Sequence, residues 1–256
     1  MIQSPSEFAK SIIPKSIERV TVVGGGRIGT FLATLTEACV VSRQHGELQP
    51  TGPILVCVRN SELENVILRT PLERRKDLIF IQNGMIDPLL ESMGMQEATR
   101  GILYFAIETK GGKVVDGGGS AFCGTYAPWL VSVLHEAKIG AQVVTSEEFR
   151  KEMGRKLIWN SVFGLLGQVY QTDVGQILDR HRPEFQILLS ELQSVFEGAT
   201  KIGLGDDLEQ FLTNYALEVS HYHCRASEWE WRNGWFLSKM PTPLHSQLSL
   251  KIGKPF

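Results

Sequence analysis

No stretch of this 256-residue chain approaches the ~20 consecutive apolar residues needed to cross a bilayer, which argues against a membrane-spanning protein. Neither sign of charge is in excess. Lys and Arg number 26 against 28 Asp and Glu, a net of −2, so there is no broad polybasic surface for nonspecific nucleic-acid binding. Cysteine is sparse: Cys39, Cys57, Cys123 and Cys224 form no C-x-x-C pair and no disulfide framework, which fits a reducing compartment. Cys39 and Cys57 lie in apolar runs and read as small buried hydrophobes. Residues 1–17 lack the apolar core of a secretory signal and the Arg-rich, acid-free look of a transit peptide, so the expected location is the cytoplasm. No repeat or low-complexity tract is present. Length is also in short supply: at ~150 residues per domain, the chain is tight for two.

Hydrophobic residues make up 43% and charged residues 21%, the balance of an ordinary globular protein. Val20-Thr21-Val22-Val23 is a β-branched run that ends in glycines, which predicts a buried strand. A helix is expected over 29–38, a short strand at 39–41, a loop at 44–53 and a buried strand at 54–58. A helix over 62–68, a strand at 78–81 and a helix over 86–93 follow. Strands are expected at 101–109, 113–115 and 121–124, then a helix over 128–137 and a last strand at 141–144. Beyond Thr145 strand signals stop. Ser146 is expected to cap a helix reaching about Tyr170, with Glu147 and Glu148 in its first turn. Further helices are expected over 183–202, 206–223 and 227–239. The layout is an α/β domain at 1–145 followed by an all-helical domain at 146–256.

Gly24-Gly25-Gly26-Arg27-Ile28-Gly29 fits G-x-G-x-x-G, with a strand before it and a helix after. In that context the first Gly permits the turn, the second admits a pyrophosphate and the third lets helix and strand pack. The phosphate then meets the positive helix end. The alternative is a glycine-rich turn without a ligand. Dinucleotide sites for NAD place an acid about 20 residues on; none occurs here. Arg43, 19 positions after Gly24, instead favours a 2′-phosphate, hence NADP(H), or is a solvated loop residue. Lys156, Asn160 and Gly164 fall at i, i+4 and i+8 and share one helix face among apolar neighbours. Burial would help Lys156 release its proton, making it a candidate donor to a reacting carbonyl oxygen. Otherwise it is a boundary lysine whose amine reaches water.

Four blocks in order resemble the ketopantoate reductase (2-dehydropantoate 2-reductase) family. They are the Val22–Gly29 glycine loop, Gln82-Asn83-Gly84-Met85, the Lys156-x-x-x-Asn160 helix, and Ser227-Glu228-Trp229-Glu230-Trp231-Arg232-Asn233-Gly234. The resemblance implies a Rossmann-like N-terminal domain and a helical domain of the 6-phosphogluconate dehydrogenase-like type. It implies NADPH-dependent reduction of a small 2-oxo acid, with monomers and homodimers both found in the family. Lys156 then matches the general acid, Glu228 the carboxylate that orients the substrate's distal hydroxyl, and Asn83 and Asn160 the amides at the nicotinamide–substrate junction.

The chain also departs from the family. Gly164 replaces a second helix-face Asn, which removes a polar side chain from the expected pocket. The Ser-Ser-Met block that helps hold the substrate carboxylate is missing; Asn214-Tyr215-Ala216 or Ser220 falls nearby. Arg59 stands where the family carries a strand Lys. These changes keep a second reading open, a reductase-like protein that binds nucleotide or ligand without turnover; a third would change the substrate to an amino- or imino-acid pair. His221, His223 and Cys224 lack a partner pair for a tetrahedral metal site, so no metal is expected. Trp229, Trp231 and Trp235 read as helix-packing residues, and Arg74-Arg75-Lys76 as a solvated face. Only about 16 residues separate the first helix from the strand at Ile54, and a crossover needs at least ~10–12, so the sheet is expected to lack a strand–helix unit near Arg43.

Overall fold

The β-branched and aliphatic runs build one sheet. The computed structural model describes residues 17, 19–42, 46–107 and 109–254; Arg43 lies outside them. The chain divides into two units, one holding the residues up to Gln82 with Asp87–Phe149, the other Asn83–Ile86 and the residues from Arg150 onward. In the first unit β1 (Thr21–Val23) pairs with β2 (Cys39–Val41) and β3 (Ile54–Val56). β4 (Leu78–Phe80) and β5 (Thr99–Ile102) extend the parallel set. β6 (Phe105–Ile107) and β7 (Val114–Asp116) form a separate hairpin, so the strand expected over 101–109 is two strands. β8 (Ser120–Cys123) joins β5 antiparallel and β9 (Ala141–Val143) joins β8 parallel, giving the order β2-β1-β3-β4-β5-β8-β9. Helices α1 (Arg27–Thr36), α2 (Leu63–Arg69), α3 (Asp87–Ser92) and α4 (Ala127–Glu136) belong to this unit. Strands β3 and β4 are buried along their whole length, as expected where a parallel sheet is covered on both faces.

One edge of the sheet is trimmed. A six-stranded doubly wound sheet carries two strands beyond the first on that side; here β2 stands alone. Between β2 and β3 no helix or strand occurs among the described residues. Among the described residues β2 is an edge strand, where Val40 is 41% accessible and Cys39 is exposed, against the burial expected of it. Cys57 is half-buried at the residue level.

Arg74 stitches the shortened connection in place. Its Nε donates to Asp77 Oδ2 at 2.6 Å, Nη2 to the Gly52 carbonyl at 2.7 Å and Nη1 to the Gln49 carbonyl. The Gln49 amide donates in turn to Thr21 Oγ1 on β1 at 3.1 Å. Tyr126 at the start of α4 donates to the other Asp77 oxygen at 2.7 Å. Arg74 is therefore no solvated-face residue; the basic run splits, with only Lys76 fully exposed.

The second unit is helical. The long α5 (Ser146–Tyr170) starts in a capping box formed by Thr145 and Glu148, not by Ser146. The Glu148 amide donates to Thr145 Oγ1, and the Glu148 carboxylate accepts from the Thr145 amide at 2.8 Å. It is followed by α6 (Val174–Arg180), α7 (Arg182–Thr200), α8 (Leu208–Glu218), α9 (Asn233–Lys239) and α10 (Pro243–Lys251). The sequence pattern predicts neither α6 nor α10. The start of α6 carries a local signal, Asp173 capping the Gln176 amide at 2.8 Å. The start of α10 is capped by a distant residue: Glu191 on α7 accepts from the Leu244 and His245 amides and from Thr242 Oγ1. The helix expected over 206–223 stops at Glu218, and the one over 227–239 is broken before Asn233.

Removing Arg74 would leave Asp77 buried with one partner fewer and free the 46–53 connection. Arg74→Ala is expected to lower stability by about 3 kcal/mol, whereas Lys76→Ala stays within about 0.5 kcal/mol. Urea unfolding of both variants against the parent checks this, and equal midpoints would remove Arg74 from the role.

Candidate functional site

Two sets of residues carry chemistry, one in each unit. In the first, β1 ends at Gly24 with φ +109°, a conformation side chains rarely adopt. A Cβ at Gly24 would lie 2.5 Å from the Cys57 carbonyl oxygen, and one at Gly29 would lie 1.9 Å from the Gly24 carbonyl oxygen. These two glycines are required by close backbone approach. Gly25 and Gly26 differ: a Cβ at Gly25 would touch only Val40 at 3.8 Å, and one at Gly26 would meet nothing within 4 Å. Gly26 caps α1 without a side-chain hydrogen bond, and the first turn holds no acid. The Gly25–Gly26 backbone is thus an open ledge before a positive helix end, which fits a pyrophosphate. Arg27 donates from Nη1 to the Ile107 carbonyl at 3.0 Å, Ile28 packs against the core, and the Cys57 thiol is pushed by burial up to about 12. Gln82 donates from Nε2 to the Val56 carbonyl at 2.7 Å at the carboxyl end of β3, where open parallel sheets bind ligands.

In the second unit, α5 is enclosed on nearly every side, with Met153–Gly167 buried apart from Asn160. Two adjacent cations therefore lose water together. Arg155 is compensated by Asp207 at 2.6 Å and by the Leu204 carbonyl. Lys156, 4% exposed, instead donates from Nζ to the Tyr215 hydroxyl at 2.8 Å. Its Nζ lies 4.1 Å from the Tyr215 ring centroid and 4.9 Å from that of Trp159. Burial brings the Lys156 ammonium down to about 7, and the nearby Arg232 charge acts in the same direction. Lys156 is not a boundary lysine reaching water. Cys224 is held up at about 12 by burial and stays a neutral thiol.

Asn160, one turn on, is half-buried, and its Nδ2 is a buried donor without a partner. Gly164, expected to remove a polar side chain from the pocket, lies against backbone. A Cβ there would lie 2.8 Å from the Arg225 carbonyl oxygen, and one at Gly167 would lie 2.8 Å from the Cys224 carbonyl oxygen. Backbone fills the space that the family's second Asn would occupy. This extended segment leads to Glu228, which takes a left-handed conformation at φ +52° and ψ +46° and opens a short 3-10 turn, Trp229–Trp231. The turn receives the Gln-Asn-Gly-Met block: the Met85 amide donates to the Trp231 carbonyl at 2.7 Å. Half-buried Asn83 thereby stands on the same unit as Lys156, Asn160 and Glu228.

Asn233 and Gly234 of the fourth block are structural. Asn233 donates to the Ser161 carbonyl on α5 at 3.3 Å and accepts from His245 Nε2 at 2.9 Å, while Gly234 lies against Trp229. Burial lowers His245 to about 4, so it is neutral here. Trp235 packs against Phe196 and Phe236. His221 and His223 are exposed beside Asp173, and no group of three metal-ligating side chains is found among the described residues. Two residues near Lys156 are given no role by the sequence, Tyr215 and, within the fourth block, Arg232. Tyr215 sits where the Ser-Ser-Met block is missing, and only the packing of α8 on α5 brings its hydroxyl to Nζ.

Enclosing Lys156 costs stability at neutral pH. The unfolded chain holds this proton up to about 10.5 and the folded chain only to about 7, so its cost, roughly 5 kcal/mol at most, shrinks as pH rises from 7 toward 10.5. Lys156→Met is expected to be more stable than the parent by about 1–4 kcal/mol at pH 6–7. The difference should narrow on raising pH, as read from unfolding curves at several pH values. A less stable Met variant would contradict it.

No protein-family profile and no curated protein sequence matches the chain. Solved structures do. A ketopantoate reductase of the PanE/ApbA family from Ralstonia eutropha JMP134 superposes with a TM-score of 0.68 at 18% identity, covering 91% of this chain and 98% of that one. D-mandelate dehydrogenase in complex with NADH and anilino(oxo)acetate gives 0.71 at 14%, covering 92% and 97%. The dimeric ketopantoate reductase from Staphylococcus aureus gives 0.64 at 17%, covering 92% and 98%. The chain has the fold of the ketopantoate reductases over more than nine-tenths of its length.

Proposed function

We propose that the protein is an NADPH-dependent reductase of a small 2-oxo acid, ketopantoate or a relative, and forms the 2-hydroxy acid. The observation that carries this reading is Lys156: a buried ammonium poised near neutrality and aimed by Tyr215 on a helix that also presents Asn160. A dinucleotide would be held by the Gly24–Gly29 ledge, with Arg43 toward a 2′-phosphate. When bound, its nicotinamide supplies a hydride to the keto carbon. Charge then grows on the carbonyl oxygen, and Lys156 stabilises it and delivers a proton. Asn160 and Asn83 orient the reacting groups, and Glu228 accepts from a distal hydroxyl. The solved relatives with this fold include one crystallised with NADH and a 2-oxo acid analogue, which supports the class of chemistry.

NADPH absorbance followed with ketopantoate and a panel of 2-oxo acids tests the proposal. Absence of turnover with every acid at high enzyme would end it, and tight NADPH binding without oxidation would favour the reading as a non-catalytic binder. Lys156→Ala is expected to lower kcat by 10²-fold or more, with a smaller change in KM. The protonated lysine predominates below pH 7, so kcat/KM for reduction should fall about tenfold per unit above that point. Tyr215→Phe removes an acceptor from the charged form, so the midpoint of this fall should move to lower pH. An unmoved midpoint would exclude Tyr215 as the residue that sets it.

A further inference from the structure

Arg232 is the least compensated cation near Lys156. Its Nη1 donates to Ser227 Oγ at 3.1 Å, yet its Nε is a buried donor without a partner, and no carboxylate lies within ion-pair distance of the guanidinium among the described residues. Burial lowers its proton affinity, and Glu228 acts on it only through space. Contrast Arg155, whose buried guanidinium has an aspartate and a carbonyl. Arg232 is half-buried, and a guanidinium whose Nε–H is buried without an acceptor gains from an anion that completes it. A second orphan donor lies on the same unit. The Asn233 amide binds the Ser161 carbonyl, which pins the start of α9 to α5 one residue beyond Arg232 and one beyond Asn160. Asn160 Nδ2 also lacks a partner. Lys156 completes the set, since its charge and that of Arg232 act on each other.

We propose that Arg232, together with Asn160 Nδ2, binds the carboxylate of the substrate and selects 2-oxo acids over neutral ketones. Resting on the reductase reading above, it deepens it: Arg232 takes over the task left by the missing Ser-Ser-Met block. The planar guanidinium, tied at Nη1 by Ser227, has its Nε–H available for a charge-assisted bond to a carboxylate oxygen. The keto oxygen on the neighbouring carbon then falls to Lys156. Arg232 is not required to donate a proton and stays charged throughout.

The test compares pyruvate with pyruvamide, which keeps the keto group and loses the charge. Wild type is expected to prefer the acid by 100-fold or more in kcat/KM. Arg232→Gln should bring that ratio near one by raising KM for the acid, with the amide little changed, and Arg232→Lys should recover part of it. Calorimetric titration with oxamate, in the presence of NADP⁺, reads the same site without turnover: binding by wild type should weaken at least 30-fold in Arg232→Gln. Melting curves confirm that each variant is folded, and the wild-type acid-to-amide ratio needs no variant. A wild type that turns over acid and amide alike, or an Arg232→Gln enzyme that keeps the preference, overturns the assignment and leaves the reductase reading standing. A wild type that reduces no acid of the wider panel but loses oxamate affinity on Arg232→Gln keeps the anion site and ends the reductase reading. No oxamate binding and no turnover with any acid of the panel ends both.

Discussion

A lysine ammonium enclosed by aliphatic and aromatic side chains loses its hydration, and that loss favours the neutral amine. Lys156 is in this position. It lies on a helix whose central turns are buried on nearly every face, and the Tyr215 phenol and the Trp159 indole stand around its Nζ. Arg155 shows the alternative, because its guanidinium is neutralised by Asp207 and leaves the chemistry alone. Arg155 meets a carboxylate and a carbonyl, while Lys156 meets a phenol hydroxyl among aromatic rings, and burial there brings its ammonium down to about 7.

Glycine serves both units through one physical device, close approach of backbone to backbone. At Gly24 and Gly29 it lets the first strand, the first helix and the Cys57 carbonyl crowd together, leaving Gly25 and Gly26 open. At Gly164 and Gly167 it lets the Cys224–Arg225 backbone lie against α5. A side chain at Gly164 would displace that segment, and with it the turn that carries Glu228 and Arg232. The apparent loss of a polar residue is thus a change of what fills the space. The trimmed sheet edge follows similar logic. A missing strand leaves β2 exposed, and one arginine, Arg74, takes up the carbonyls of the connection that replaced it.

Local signals are legible in the sequence because their energies are local. β-Branched runs predict β1, β2, β3 and β4 in place, the glycine loop predicts the first strand–turn–helix, and the short spacing to Ile54 predicts the trimmed edge. The long α5 is also legible, from the acids in its first turn. The spacing of Lys156 and Asn160 places them on one face, as any helix must. Even α6, which the pattern misses, has its signal in the sequence, the Asp173–Gln176 cap.

The remainder needs the tertiary structure, because the deciding partner is far away in sequence. Glu191 caps α10 from 53 residues off, and no local pattern announces that. Tyr215 reaches Lys156 across 59 residues, which makes a side chain in an unmatched stretch the partner of the presumed acid. Arg74 looks like part of a solvated basic run until its acceptors, more than 20 residues upstream, are in view. By itself, then, the sequence determined the periodicity, the glycine turns and which face each reactive residue occupies, all set by backbone geometry over a few residues. Only the tertiary structure decided which charges are compensated and which are left orphaned, since desolvation depends on everything that packs around a group and on nothing in its immediate sequence.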